Sequence, residues 1–247
     1  MQNEIQSVLI SYWFKKIDYN PKEKIDSLTD SIKSVIDTPL MYNNEDAKRL
    51  FSMPRIEGIS SDKKVLFSMS LINATIRCDI KGVQDNDEVM LLINNYSQLF
   101  YDILEDVYNL DILYTSIKIE LTINDINAIE FLSSKYHLSK KNYEDLSFKR
   151  GFIKDNYYIN YIQNSSREYN FNIEKNESSL EQDLYDQTLL ISIMDAHLNK
   201  EYLMSIIEIN DRYSYNIDRE YRTKKDAIRG MILELKEILK DKRYLDN

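Results

Sequence analysis

Between Asp85 and Ile123 the chain changes its hydrophobic period almost without a break, and that change limits the folds open to it. Val89, Leu92, Ile93, Tyr96, Leu99, Phe100, Ile103, Leu104 and Val107 recur at helical spacing and form one broad apolar stripe. The run Asp85-Asn86-Asp87-Glu88 ahead of them supplies the caps and negative charge that a helix start favours. A strict alternation follows, with Leu113, Ile117, Ile119, Leu121 and Ile123 on one side and Ser116, Lys118, Glu120 and Thr122 on the other. Period two is the mark of a half-buried strand. A helix wide enough to cover a sheet, lying between strand segments, predicts helix packed on one face of that sheet.

The flanking sequence keeps the same style. Val8, Ile10, Tyr12 and Phe14 alternate with Leu9, Ser11, Trp13 and Lys15 as a first strand. Asn20-Pro21-Lys22-Glu23 reads as a capped helix start, and Ile25, Leu28, Ile32, Val35 and Ile36 continue it until Pro39. Pro54 and Gly58 read as turns. Val65, Phe67, Met69 and Leu71 are then apolar at odd positions, but Ile72, Ala74, Ile76, Cys78 and Ile80 at even ones. A slip of one residue would turn the whole face over, so a hairpin near Ile72-Asn73 is expected, ending at Lys81-Gly82. Further on, a short helix near Asn127–Tyr136 precedes strands around Leu146–Ile162, Tyr169–Ile173, Thr188–Met194 and Tyr202–Ile209. Glu177–Asp186 reads as an acidic loop or short helical turn. Ala227, Ile228, Met231, Ile232, Leu235, Ile238 and Leu239 form a closing amphipathic helix.

The fold class is therefore α+β: antiparallel sheet, in one piece or two, with long amphipathic helices packed on one face. Two similar strand-then-helix halves are expected, 1–124 and 125–247, which a single continuous domain could also hold. Only four glycines occur in 247 residues, where average usage of about 7% would give roughly four times as many. That scarcity suits long unbroken elements with few tight turns.

It also removes chemistry. No glycine-rich phosphate loop exists, and a Gly-x-Ser-x-Gly nucleophile elbow is excluded on the same ground. The two histidines, His137 and His197, have no second nitrogen or sulfur ligand nearby in sequence, so a metal site on them is not expected. Asp195 with His197 is the one conceivable acid–base pair. The single cysteine, Cys78, shares the apolar phase of Ile76 and Ile80 and reads as a buried structural thiol. Asp111 and Glu120 bracket the central strand roughly 30 Å apart, too far to share a metal. Glu234-Leu-Lys236 has nuclease-like spacing but lies in a helix. No cofactor is expected.

The formal charge of −9 argues against nucleic acid as a direct ligand, and against an anionic membrane surface. The start of the chain has no secretory pattern and no apolar run is long enough for a bilayer, so a cytoplasmic protein is expected. Aromatic residues offer the positive signal. Tyr12, Trp13 and Phe14 place rings on both faces of the first strand, and Tyr157, Tyr158 and Tyr161 cluster on a later one. These six are the candidate protein-interaction residues, since tyrosine and tryptophan are favoured at interfaces.

The segment Lys63–Thr122, with the ending Met204-Ser-Ile-Ile-Glu-Ile-Asn210 and the helix from Lys225, resembles a sporadically distributed, uncharacterised family of bacterial proteins of about this length. The long central strand lacks the Arg and Gly that the family pattern would carry. The element order also resembles, more distantly, SecB-like chaperone folds, in which an antiparallel sheet is backed by helices. The resemblance implies no catalytic residues; sporadic bacterial occurrence suits a defence system in phage–host conflict. The expected function is a non-catalytic protein-binding module: a subunit, adaptor, inhibitor, or antitoxin- or chaperone-like factor with a protein partner, a homo-oligomer being admitted. The alternative is a carboxylate-dependent enzyme, such as a metal-dependent hydrolase, with a site assembled from distant residues.

Overall fold

A computed structural model of the chain describes residues 2–17, 22–42, 50–83, 85–124, 126–138, 146–171 and 196–242. The strands are β1 (Gln2–Phe14), β2 (Met41–Tyr42), β3 (Ile56–Ile59), β4 (Val65–Met69), β5 (Asn73–Asp79), β6 (Ile112–Asn124), β7 (Ser147–Lys154), β8 (Tyr157–Phe171) and β9 (Ala196–Asn210). The helices are α1 (Lys22–Ile32), α2 (Asn86–Tyr108), α3 (Ala128–Lys135), α4 (Arg212–Ile217) and α5 (Lys225–Lys240). The nine strands form a single sheet in the order β2-β3-β4-β5-β1-β6-β9-β8-β7, and every neighbouring pair is antiparallel. The α+β class holds. Strand β6 bonds to β1 on one side and β9 on the other, so the sheet is continuous from residues 1–124 into residues 125–247.

Strand alternation explains where the core lies. Phe67, Ile76, Ile10, Ile117, Ile209 and Ile159 face one another across six strands, and Val65, Cys78, Val8, Ile119, Ile207 and Tyr161 make the parallel row beside them. All twelve are buried. Helix α2 closes over the first-half strands: Phe100 stacks on Phe67 with ring centroids 5.4 Å apart, and the Tyr12 hydroxyl donates to the Ser97 carbonyl at 2.7 Å. Both ends of α2 are capped. The Asp85 carboxylate accepts the Asp87 N–H, and Asn109 leaves the helix in the left-handed region at φ 53°. Nearer the C-terminus α5 buries Ile228, Met231, Leu235 and Ile238, while Tyr136, just after α3, stacks on Phe148 at 3.9 Å.

Several elements differ from expectation. Leu113 is half-buried and Ile112 takes the core position, because the β1–β6 register shifts between Trp13 and Phe14 and absorbs one residue as a bulge. The expected strand around Leu146–Ile162 is a hairpin: Asp155, at φ 52°, and Asn156 turn β7 into β8. Strand β8 then runs unbroken to Phe171, taking in the start of the strand expected at Tyr169–Ile173. Helix α1 stops at Ile32, with Ile36 buried just beyond it. Gly58 lies inside β3 rather than in a turn, since an added Cβ would sit 2.4 Å from Leu40 Cδ2 and 2.8 Å from Ile36 Cγ2. The Ser70–Ile72 hairpin is as expected: Ser70 Oγ accepts the N–H groups of Ile72 and Asn73. Residues Asn20-Pro21, Glu177–Asp186 and Thr188–Met194 lie outside the described residues.

Gly230 makes a testable contact. A Cβ there would meet the Tyr157 hydroxyl at 2.3 Å, and that hydroxyl donates to the Ala227 carbonyl at 3.2 Å. Gly230→Ala is expected to destabilise the fold by about 1–2 kcal/mol despite the helix preference for alanine. Adding Tyr157→Phe should return part of that loss. A double variant less stable than the sum of the two single changes in urea titration contradicts the contact.

Candidate functional site

The face of the sheet opposite these core rows carries the other half of each alternation. In one row Ser11 lies beside Ser116, and Ser116 beside Asn210, which faces Tyr158; in the next Leu9, Lys118, Glu208 and Asn160 lie in line. Helix α4 packs against one end of this face. Together they line an open groove of about 600 Å³ that reaches from β1 across β6, β9 and β8 to Lys149 of β7, with Arg212 and Asn216 of α4 at its rim.

Aromatic rings form one wall. Trp13 stacks on Tyr114 with centroids 5.5 Å apart and planes 16° apart. Tyr114 in turn meets Tyr215 at 6.0 Å and carries the Arg212 guanidinium 5.5 Å from its centroid. Tyr158 meets Tyr213 edge to face at 5.4 Å. Burial is the main cause raising the Tyr114 hydroxyl above its ordinary pKa, opposed by Arg212. At the floor, Glu208 accepts hydrogen bonds from Ser116 Oγ at 3.1 Å and from the side-chain amides of Asn160 and Asn210, each at 3.2 Å. A neighbouring groove of about 400 Å³ is lined by Lys63, Lys64, Arg77, Lys81 and Asp79. Glu120 lies on the same face, where Lys118 reaches it at 2.8 Å, Arg77 at 3.4 Å and the Ser7 hydroxyl at 2.7 Å. Burial works to raise its pKa, but these donors outweigh burial and hold it below the ordinary carboxylate value.

No protein-family model matches the chain, and no curated protein matches it.

The six aromatic candidates divide between the two faces. Trp13 and Tyr158 line the groove. Tyr12 is fully buried and Phe14 is 3% exposed, both in the core beneath the helices, because even positions of β1 face that way. Tyr161 is 3% exposed in the same layer, beside Phe152. Tyr157 lies half-buried against α5. These four are therefore packing residues, as their phase along the strands dictates. The groove also contains Tyr114 and Arg212, with Tyr213 and Tyr215 beside them, none of which was singled out from the sequence. Tyr114 shares the outward phase of Ser116 and Lys118, which was the available signal.

Other candidates are scattered. His137 ends α3 in the left-handed region at φ 51°. His197 lies in β9, and its proposed partner Asp195 is outside the described residues. Asp111 pairs with Arg222 at 3.6 Å, whereas Glu120 is held by Lys118, so the two serve separate contacts. Glu234 accepts from Lys154 at 2.5 Å, and Lys236 pairs with Asp87 at 2.8 Å. Among the described residues no three His, Cys, Asp or Glu side chains come together as metal ligands, and no helix is long and apolar enough to cross a membrane.

Cys78 is 1% exposed, and burial pushes its thiol up to about 12. Only the thiolate is nucleophilic, so alkylation at pH 8 is expected to occur no faster than global unfolding. Stoichiometric labelling of native protein within minutes would contradict this placement.

Proposed function

We propose that the protein is a non-catalytic binding module that holds a protein partner on the open face of its sheet. The observation that carries this reading is the groove lined by Trp13, Tyr114 and Tyr158, with Arg212 at its rim. Rings held by one another and by a cation offer rigid contact area at low entropic cost, which is what interface anchors need. Hydroxyl, amide and charged groups surround them, so the groove offers directional contacts as well as apolar area.

Element order supports a second part of the reading, that the chain is two like halves with long amphipathic helices. One half runs β1, α1, β2 to β5 and α2, and the other β6, α3, β7 to β9, α4 and α5, so the orders correspond apart from the two-residue β2 and the short α4. The sheet order β3-β4-β5-β1 on one side mirrors β7-β8-β9-β6 on the other, about the β1–β6 pair. This proposal moves the boundary between the halves from 124/125 to residues 109–111, ahead of β6, and the likeness to SecB-like helix-backed sheets applies to each half. A part in phage–host conflict, and a cytoplasmic site of action, belong to the same proposal.

The test is co-purification of tagged protein from its host at native abundance. A stoichiometric partner protein is expected, and the Trp13→Ala/Tyr158→Ala variant should lose it while unfolding within about 1 kcal/mol of the parent, since both changes lie on the open face. Recovery of free monomer alone, or a partner retained by the variant, refutes the reading.

A further inference from the structure

We infer that the groove takes an extended, acidic peptide segment of the partner; this rests on the open-face reading above. The charge distribution points to it. Lys118, Lys149 and Arg212 line the aromatic groove against one carboxylate, Glu208. Lys63, Lys64, Arg77 and Lys81 line the adjoining groove against Asp79 alone. The two are contiguous, because Leu9 of the first lies beside Arg77 of the second in the β1–β5 register. Seven cations and two carboxylates thus line one surface of a chain whose formal charge is −9. Counting Glu120, already held by Lys118 and Arg77, leaves the surface strongly positive. A basic surface on an otherwise acidic protein steers an acidic segment to one place and repels basic ones.

Shape and chemistry narrow the occupant further. Five strands about 4.8 Å apart give a groove roughly 19 Å long, the span of about six extended residues. Leu9 and Ile162 provide apolar footing, while Ser116, Asn160 and Asn210 stand at the floor as amide and hydroxyl groups able to meet a peptide backbone. Single-stranded nucleic acid would need free ring faces for its bases. Here Tyr114 is stacked on Trp13 and carries the Arg212 guanidinium, and Tyr158 is met by Tyr213. A second copy of this chain docked face to face would set the basic surface against itself.

The experiment is selection of an unbiased display library of twelve-residue peptides on the immobilised full chain. The emission of Trp13, the single tryptophan, provides an independent readout in the groove. Enriched peptides are expected to carry net negative charge and to shift Trp13 emission. They should bind the Lys149→Glu/Arg212→Glu variant at least about tenfold more weakly, with affinity falling as salt rises. Both substituted positions are exposed, and circular dichroism confirms that the variant is folded before it is compared. Enrichment of neutral or basic peptides that still shift Trp13 overturns the acidic assignment but leaves the open-face reading standing. Absence of enrichment, or peptides that bind parent and variant alike without moving Trp13, overturns both. A twelve-nucleotide oligo-dT that displaces the peptides at comparable concentration assigns the groove to nucleic acid. Self-association abolished in the double variant assigns it to a second copy.

Discussion

Asp211→Ala is expected to lower stability by at least about 3 kcal/mol, because it strands three donors in the interior. The Asp211 carboxylate is fully buried. Its Oδ1 accepts the Thr115 N–H at 2.6 Å, and its Oδ2 accepts the hydroxyls of Thr223 at 2.6 Å and Tyr221 at 2.8 Å. Thr223 is itself tied to β6 and α2, donating its N–H to the Ile112 carbonyl at 2.8 Å and accepting from the Tyr101 hydroxyl at 3.0 Å. One side chain therefore fastens the link between α4 and α5 to the sheet. Burial raises the carboxyl above its ordinary pKa, and the donors from Thr223, Thr115 and Tyr221 only partly offset it. The folded state thus holds this proton more tightly than the unfolded chain does. The stability this contributes is complete below the unfolded value of about 3.9 and is lost as pH rises through the folded value. Asp211→Asn keeps the shape, can donate to a hydroxyl and does not titrate, so it should fall within about 1 kcal/mol of the parent. Urea titrations from pH 4 to 7 should show the asparagine variant gaining on the parent as pH rises. A constant difference, or one of opposite sign, contradicts this account.

Phe100→Ala should cost about 3–5 kcal/mol, since it removes a fully buried ring from the centre of the α2–sheet contact. The stack on Phe67 adds about 0.5–1.5 kcal/mol to the burial lost. Leu91 lies on the outer side of the same helix and is 60% exposed, so Leu91→Ala should change stability by no more than about 0.5 kcal/mol. Comparable losses at the two positions in equilibrium unfolding would mean that α2 packs by a different face.

The elements legible from sequence were those whose signal is local. The α2 span, the acidic start at Asp85, the β6 alternation from Ile117 to Ile123 and the phase slip near Ile72 each lie within a few residues, and each is present in the structure. What sequence could not supply was pairing. The bulge that moves Leu113 out of the core exists because β1 and β6 must match over a long ladder, which no short window reveals. The alternation of Tyr12, Trp13 and Phe14 predicts two faces but not which one the helices cover. Tyr114 and Arg212 meet only when β6 pairs with β9 and α4 folds back over the end of the ladder, a contact with no local signal. Asp155-Asn156 is a local turn signal, since Asp and Asn tolerate the left-handed conformation that Asp155 takes at φ 52°.

Strand β1 lies at the middle of the sheet although it precedes every other described strand in the chain. Its partners are β5 and, across a separation of 113 residues between Ser7 and Glu120, β6. At about 5–20 residues per second of synthesis, that partner follows roughly 6–20 seconds later. Until β5 emerges both hydrogen-bonding edges of this alternating apolar strand are open, and the edge that β6 will take stays open for the whole interval, a template for joining other chains. Contacts this distant also slow refolding of the complete chain. The hazard of this architecture therefore falls on the nascent protein at the ribosome, and yields in the host should depend on how quickly residues 112–124 follow the first strand out.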